Sequence, residues 1–285
     1  MQIINSILKF ILPFRVYNFL KLSFFKIISE VDFIISDINI FLNDEKKKFK
    51  PHVIPNTKRR YQVHGKKDVE SFVLNGESNA ITIKNYLKKN SYNINDFDKI
   101  LDWGCGPGKV LQSIYINSNN PKQQLFGTDI SNLTISWAQK NLRFANFNNN
   151  GIDPVLPYED NFFGFIYGIS VFTHLDAEHE VWLKELSRVL ENEGVLLLTF
   201  HGEHCASIKF KNNIVEHKKF HNDGIYFSEP PKINNRHNLP EFYGSTYHTR
   251  KYIEQKFQKY FDIIDYSERE IRNFQDAALF IKKSK

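Results

Sequence analysis

Three glycines at alternate positions, Gly104, Gly106 and Gly108, close the apolar run that begins LDWGCGPGKV at residue 101. A buried strand that ends in such a loop and opens a helix brings backbone close to a nucleotide. The spacing is GxGxG, and Lys109 stands where a dinucleotide fingerprint, GxGxxG, carries its third glycine. Two residues ahead of the first glycine is Asp102, whose carboxylate would repel a pyrophosphate and suits an ammonium group. About twenty residues further on, TDI supplies Asp129, placed to accept hydrogen bonds from both ribose hydroxyls. Together these residues ask for a nucleoside that bears an amino acid.

Histidine and cysteine carry the other reactive side chains. HGEHC, from His201 to Cys205, and EHKKFH, from Glu216 to His221, have short histidine spacings, and His217 and His221 share a face if their segment is helical. Neither forms an HExxH or a complete ligand set, so no metal is expected. Cys105 and Cys205 are the two cysteines and form no CxxC or disulfide framework. Such usage fits a reducing cytoplasm.

The elements that position the loop follow from periodicity. From Lys99 the chain alternates strand and helix, the pattern of a doubly wound α/β sheet. Strands are expected over 99–104, 124–130, 163–172 and 194–201. Helices are expected over 132–142 and over 177–190, where Leu183, Leu186 and Leu190 line one face. Ahead of them, Asn75 and Gly76 read as a turn, followed by a helix carrying Ile81, Ile83, Tyr86 and Leu87. At the carboxyl end, residues 260–283 read as two apolar strands joined by a charged turn. No internal repeat is found, and Asn146 to Asn150 is a short low-complexity run.

The first 70 residues form a helical and basic extension to this core. Bulky apolar residues dominate up to residue 42, but Lys9, Arg15, Lys21 and Lys26 interrupt them and Pro13 divides them. No uncharged run reaches the roughly 18 residues of a spanning helix, and no small-residue cleavage site marks a secretory signal. The extension could cap the substrate pocket, form an oligomer interface, touch a membrane surface, or pack its apolar side on the main domain. Residues 45–60, with the basic run Lys46 to Lys50 and two prolines, read as a solvated connection. The chain of 285 residues is 41% hydrophobic and carries a net charge of +6, which accompanies the Lys, Asn, Ile and Phe usage of an AT-rich coding sequence. Nothing near the basic run supplies the aromatics of a nucleic-acid platform, so no nucleic-acid partner is expected.

From about Tyr61 onward the chain resembles a class I S-adenosylmethionine-dependent methyltransferase, of the bacterial group with an SVFTHL segment after the fourth strand. The matching stretches are DWGCGPG at 102–108, TDIS at 128–131, LPYEDNFFGFIYGISVFTHL at 156–175, WLKELSRVL at 182–190 and LLLTFHG at 196–202. The resemblance implies a Rossmann-like, seven-stranded sheet with an antiparallel last strand. It implies S-adenosyl-L-methionine as cofactor, with Asp102, Gly104, Cys105, Gly106 and Gly108 around the methionine part. Asp129 and Ile130 would hold the ribose and one adenine face, Asn150 would lie near the adenine edge, and Ser170 near the sulfonium. Two positions depart from the family's habit: Gly164 replaces an Asp, and Asn192, Glu193 and Gly194 replace a Pro-Gly-Gly turn.

Methyl transfer from an activated sulfonium needs alignment of the acceptor and, for a hydroxyl, a base. The fold would bring His174, His201 and His248 near the strand ends, with the first two favoured by position; each could instead hold a loop through backbone hydrogen bonds. An insertion at about 203–247, rich in aromatics such as Phe220, Tyr226, Phe227, Phe242, Tyr243 and Tyr247 and carrying Pro230 and Pro231, is expected either to recognise the acceptor or to pack as a lid. The reading is thus a methyltransferase domain at 71–285 acting on an oxygen of a small molecule or glycan intermediate. The alternatives are N-methylation of a small amine and a catalytically inactive cofactor-binding partner subunit.

Overall fold

The computed structural model describes residues 14–176, 179–229 and 243–283, with side chains from Ser23 onward. The expected features at Lys9, Pro13, Ala177, Pro230, Pro231 and Phe242 lie outside the described residues, as do the side chains of Arg15 and Lys21.

The continuous apolar runs become the middle of a seven-stranded sheet because both of its faces are covered by helices. In chain order the strands are β1 (Lys99–Trp103), β2 (Gln124–Asp129), β3 (Ala145–Asn149), β4 (Phe163–Gly168), β5 (Leu190–Phe200), β6 (Ile225–Ser228), β7 (Ser245–His248), β8 (Phe261–Ile271) and β9 (Gln275–Lys282). The sheet order is β3-β2-β1-β4-β5-β9-β8, and β6 and β7 form a separate two-stranded ribbon. The strands from β3 to β5 in that order pair in parallel, whereas β9 runs antiparallel to both β5 and β8. The strand order reverses between β1 and β4, and ligands of such sheets bind in the crevice at the carboxyl ends there.

The helices are α1 (Phe14–Leu42), α2 (Thr57–His64), α3 (Val69–Lys89), α4 (Lys109–Ile116), α5 (Asn132–Asn141), α6 (His179–Val189), α7 (Glu203–Lys209), α8 (Ile214–Asp223) and α9 (Arg250–Phe257). Alternate strand residues feed two cores. Ile100, Phe165, Tyr167 and Leu197 meet α3, α4 and α5 on one face. Leu101, Trp103, Ile166 and Leu198 meet α6 and α9 on the other. Several helix starts were written locally: the side chains of Asn56, Asp68, Ser131 and Thr249 accept the N–H of Arg59, Ser71, Thr134 and Tyr252, each worth about 1 kcal/mol.

Three expectations are corrected. Asn75 and Gly76 do not turn; they lie inside α3, where a Cβ on Gly76 would stand 2.5 Å from the Lys109 carbonyl oxygen. That glycine lets α3 close on the first turn of α4. Residues 45–60 are not all connection, since a 3-10 turn spans Glu45–Phe49 and α2 begins at Thr57. The fourth strand stops at Gly168 because Ser170 takes a left-handed φ of 61°. The asparagine run at 146–150 lies largely within β3, an edge strand with only Phe147 buried.

One stripe of α1 packs on the domain. Phe33 and Ile40 are buried, and Ile40 shares a cluster with Ile54, Val69, Phe72 and Val73. Asp37 accepts the N–H and hydroxyl of Thr57 at 2.9 and 2.7 Å, and the fully buried Arg60 donates to the Lys67 carbonyl. Among the described residues no helix is long and apolar enough to cross a membrane.

Candidate active site

The turn after β1 is held from below by β2. The N–H groups of Gly104 and Cys105 both donate to the Thr128 carbonyl at 2.8 Å. Gly106 N–H donates to Asp129 Oδ2 at 2.9 Å, and Ser131 N–H donates to its Oδ1 at 2.8 Å. Gly104, Gly106 and Gly108 take φ values of 78°, 53° and 72°, which L side chains rarely adopt. A Cβ on Gly104 would in addition fall 2.4 Å from Val171 Cγ2. At these three positions the loop therefore presents backbone alone. The Cys105 side chain turns inward, against Gly127, and burial pushes its thiol well up.

Charge gathers beside the loop. Asp102 is 3% exposed, and burial raises its carboxyl to about pH 7, with the Tyr167 hydroxyl opposing the rise and Asp129 adding to it. Burial, then Arg272, draws Lys109 down to about 7, while Asp102 opposes. His64, at the end of α2, falls to about 4 through burial, then Lys109 and Arg272, and its Nε2 lies 2.9 Å from Ser71 Oγ. One carboxylate next to a lysine and an arginine suits a zwitterion: the ammonium on Asp102, the carboxylate on Lys109 and Arg272.

Some buried polar atoms have no protein partner and are open to a water or a ligand group. Asn75 Oδ1 and Asn79 Oδ1 on α3, and Asn150 Oδ1 after β3, are buried and accept no hydrogen bond. Buried acceptors of this kind call for a donor from outside the chain. Asn150 N–H reaches the Asp129 carbonyl at 3.3 Å, so its backbone amide sits beside Asp129, with half-buried Ile130 following. The glycine loop, the buried Asp102 and these orphaned oxygens fit the amino acid, ribose and adenine of S-adenosylmethionine.

At the ends of β4 and β5 a hydrogen-bonded set leads away from the loop. Ser170 N–H donates to Thr199 Oγ1 at 2.8 Å, and the Ser170 and Thr199 hydroxyls both donate to Gln275 Oε1 at 3.0 Å. Gln275 Nε2 faces His201 Nε2 at 3.4 Å. Burial, then the neighbouring His174, lowers His201 to about 4. The His174 and His201 rings lie 6.4 Å apart. His174 Nδ1 donates to the Gly244 carbonyl at 2.7 Å, which makes Nε2 the basic nitrogen of the neutral ring, and the ring stacks on Tyr243 at 4.1 Å.

His248 is placed differently. It has zero exposure and sits among Phe172, Phe200, His179 and Tyr252, with burial holding its ring well below the usual histidine range. An acceptor cannot reach it there. The expected helical pairing of His217 and His221 is present, their Nε2 atoms 3.3 Å apart, but among the described residues no group of three or more side chains is arranged to hold a metal. Of the aromatics in the insertion, Phe220 and Tyr247 pack with Cys205, Ala206 and Phe210 into a small core of their own. Tyr243 stacks against His174.

Sequence reasoning missed Gln275, Arg272, His64, Asn75 and Asn79, and read Lys109 only as a displaced glycine. Arg272 and Gln275 sit at the β8–β9 turn and reach the site only because β9 inserts between β5 and β8. No local pattern marks them.

Comparison with known proteins agrees with this geometry. The family described as "Methyltransferase domain" matches residues 101–198, from β1 through the core of β5. A SAM-dependent methyltransferase from Methanosarcina mazei has a similar fold, with 21% identity over 66% of this chain and 93% of that one and a TM-score of 0.50. One from Aquifex aeolicus shows 15% identity over 70% of this chain and 88% of that one, with a TM-score of 0.44. No curated protein matches. Residues 101–198 thus carry a methyltransferase domain, and the seven-stranded sheet closed by the antiparallel β9 shares its fold with an S-adenosylmethionine-dependent methyltransferase.

Proposed function

We propose that this enzyme methylates an oxygen of a small molecule or glycan intermediate, with His174 as the base. The single observation that supports it most is the His174 tautomer, fixed by the Gly244 carbonyl, at the carboxyl end of the sheet beside the Ser170 and Thr199 network. S-adenosylmethionine supplies the methyl group on an already activated sulfonium. Asp102, Lys109 and Arg272 hold its amino-acid end, the glycine loop excludes side chains from its path, and Asp129 accepts its ribose hydroxyls.

An acceptor hydroxyl then needs only alignment and proton removal. His174 takes that proton at Nε2. His201, neutral throughout the physiological range because burial and His174 oppose its charging, is a positioning residue that Gln275 orients from the β9 side. Two neighbouring imidazoles cannot both charge cheaply, so a neutral His201 leaves the proton to His174. The insertion supplies the Gly244 carbonyl and Tyr243 to that same ring, which joins acceptor recognition to base orientation.

The test is incubation of the purified chain with a metabolite extract and methyl-labelled S-adenosylmethionine, read by mass spectrometry. A labelled methyl ether or ester, strongly reduced in His174→Ala, is expected. A labelled amine whose formation is indifferent to His174→Ala would show N-methylation instead, since a neutral amine needs no base. Absence of any labelled product across extracts, with cofactor binding intact, would favour an inactive partner subunit.

A further inference from the structure

Helix α1 presents two apolar faces, and the domain covers one of them. Phe33 and Ile40 are 4% and 5% exposed against the core. On the opposite side Phe24, Ile28, Val31, Ile35, Ile38 and Leu42 are all exposed, from 42% at Ile28 to 71% at Leu42. Their spacing alternates four and three residues, which is the a/d seam of a left-handed helix pair sustained over about 28 Å of helix. Ile27, Ile34 and Phe41, seven apart and 62%, 59% and 80% exposed, widen the seam along one flank.

We propose that this seam is a self-association surface that pairs α1 with α1 of a second copy of the chain. Three observations select that occupant. The exposed apolar area of the stripe is about 1,000 Å² per chain, above the roughly 300–600 Å² of the largest patch on a typical monomer. Doubled on pairing, about 2,000 Å² reaches the size of a stable specific interface. Second, the heptad position opposite the seam is the one occupied by Phe33 and Ile40, so each domain lies on the outer side of its own helix and two copies can meet without collision.

Third, the charges of the helix between 23 and 42 are Lys26, Glu30, Asp32 and Asp37, one base against three acids. Glu30 and Asp32 are paired to Lys58 and Lys67, and Asp37 is bonded to Thr57. A helix built to lie on an anionic lipid surface carries lysines and arginines on its polar face. Here that face is acidic and already engaged with the chain's own residues, which favours a protein partner of the same apolar pattern.

The experiment is analytical ultracentrifugation of the full chain across the micromolar range, beside the double variant Ile28→Glu/Ile35→Glu. The wild-type chain is expected to sediment with twice the chain mass, the double variant with one, and both to show the same thermal stabilisation by S-adenosylmethionine, since neither residue touches the cofactor site. That shared stabilisation shows that the variant remains folded. A wild-type chain that stays monomeric throughout, or a double variant that remains dimeric, overturns the proposal. So does a monomer that floats with vesicles of phosphatidylcholine and phosphatidylserine in a manner abolished by the same substitutions.

Discussion

Asp102 is held in the fold at a cost that, in the proposed binding mode, the cofactor's ammonium relieves, and Asp102→Asn should expose both sides of that balance. Burial moves its carboxyl from 3.8 to about 7, and at 1.36 kcal/mol per unit the ionised form stores on the order of 4 kcal/mol. The folded chain keeps this proton to a higher pH than the unfolded chain does. The contribution is therefore fully stabilising below about pH 4, is lost as the pH rises to about 7, and is constant above that. Urea unfolding of the cofactor-free chain at pH 5 and pH 8.5 measures it. Asp102→Asn should gain stability relative to wild type by about 2–4 kcal/mol at the higher pH and by much less at the lower. The same variant loses a charge-assisted hydrogen bond to the cofactor's ammonium, worth about 1.5–3 kcal/mol, so its Kd should rise about 10- to 150-fold. An unchanged difference between the two pH values, or unchanged affinity in the variant, would refute the placement of this carboxylate as a buried ammonium receptor.

Other outcomes follow from the same geometry. Gly104→Ala puts a Cβ 2.4 Å from Val171 Cγ2 at a φ of 78°; calorimetry should show no S-adenosylmethionine binding, with stability lowered by about 1–3 kcal/mol. Gly76→Ala sets a helix-propensity gain of about 1 kcal/mol against a Cβ 2.5 Å from backbone that cannot move aside. The clash should win, with a net loss of about 1–3 kcal/mol in denaturant unfolding. His174→Ala should lower kcat about 10²- to 10⁴-fold while leaving cofactor Kd within about twofold, and equal losses in His248→Ala variants that remain folded would remove the special role of His174. Lys109, drawn from 10.5 to about 7, contributes stability that is lost as pH falls from about 10.5 towards 7. Lys109→Met should therefore flatten the alkaline limb of the pH–stability profile.

The parts of the fold that could be read from sequence were those where one local pattern had one structural meaning. β1, β4 and β5 are continuous apolar runs because helices cover both faces, and the glycine loop, Asp102 and Asp129 are tied by β1–β2 pairing at a spacing the chain itself displays. β3 was obscured because an edge strand buries one side chain in five, leaving asparagines that resemble a loop. Gly76 misled because a glycine that permits close packing and one that permits a turn look alike in sequence. His248 misled for a related reason: its position near the strand ends is legible, but which side of β7 meets Phe172 and Phe200 is decided only by packing. Gln275 and Arg272 come to the site through the late insertion of β9 beside β5, which pairs residues as distant in the chain as Val195 and Ile281. The covered stripe of α1 was likewise invisible, since both of its faces are apolar and only the structure shows which one the domain takes.

The most direct measurement is isothermal titration of the full chain with S-adenosylmethionine, with NAD as the comparison and Gly104→Ala as the control. The account predicts one site per chain for S-adenosylmethionine, no heat with NAD, and no binding in the variant. Saturable binding of NAD with none of S-adenosylmethionine would contradict it.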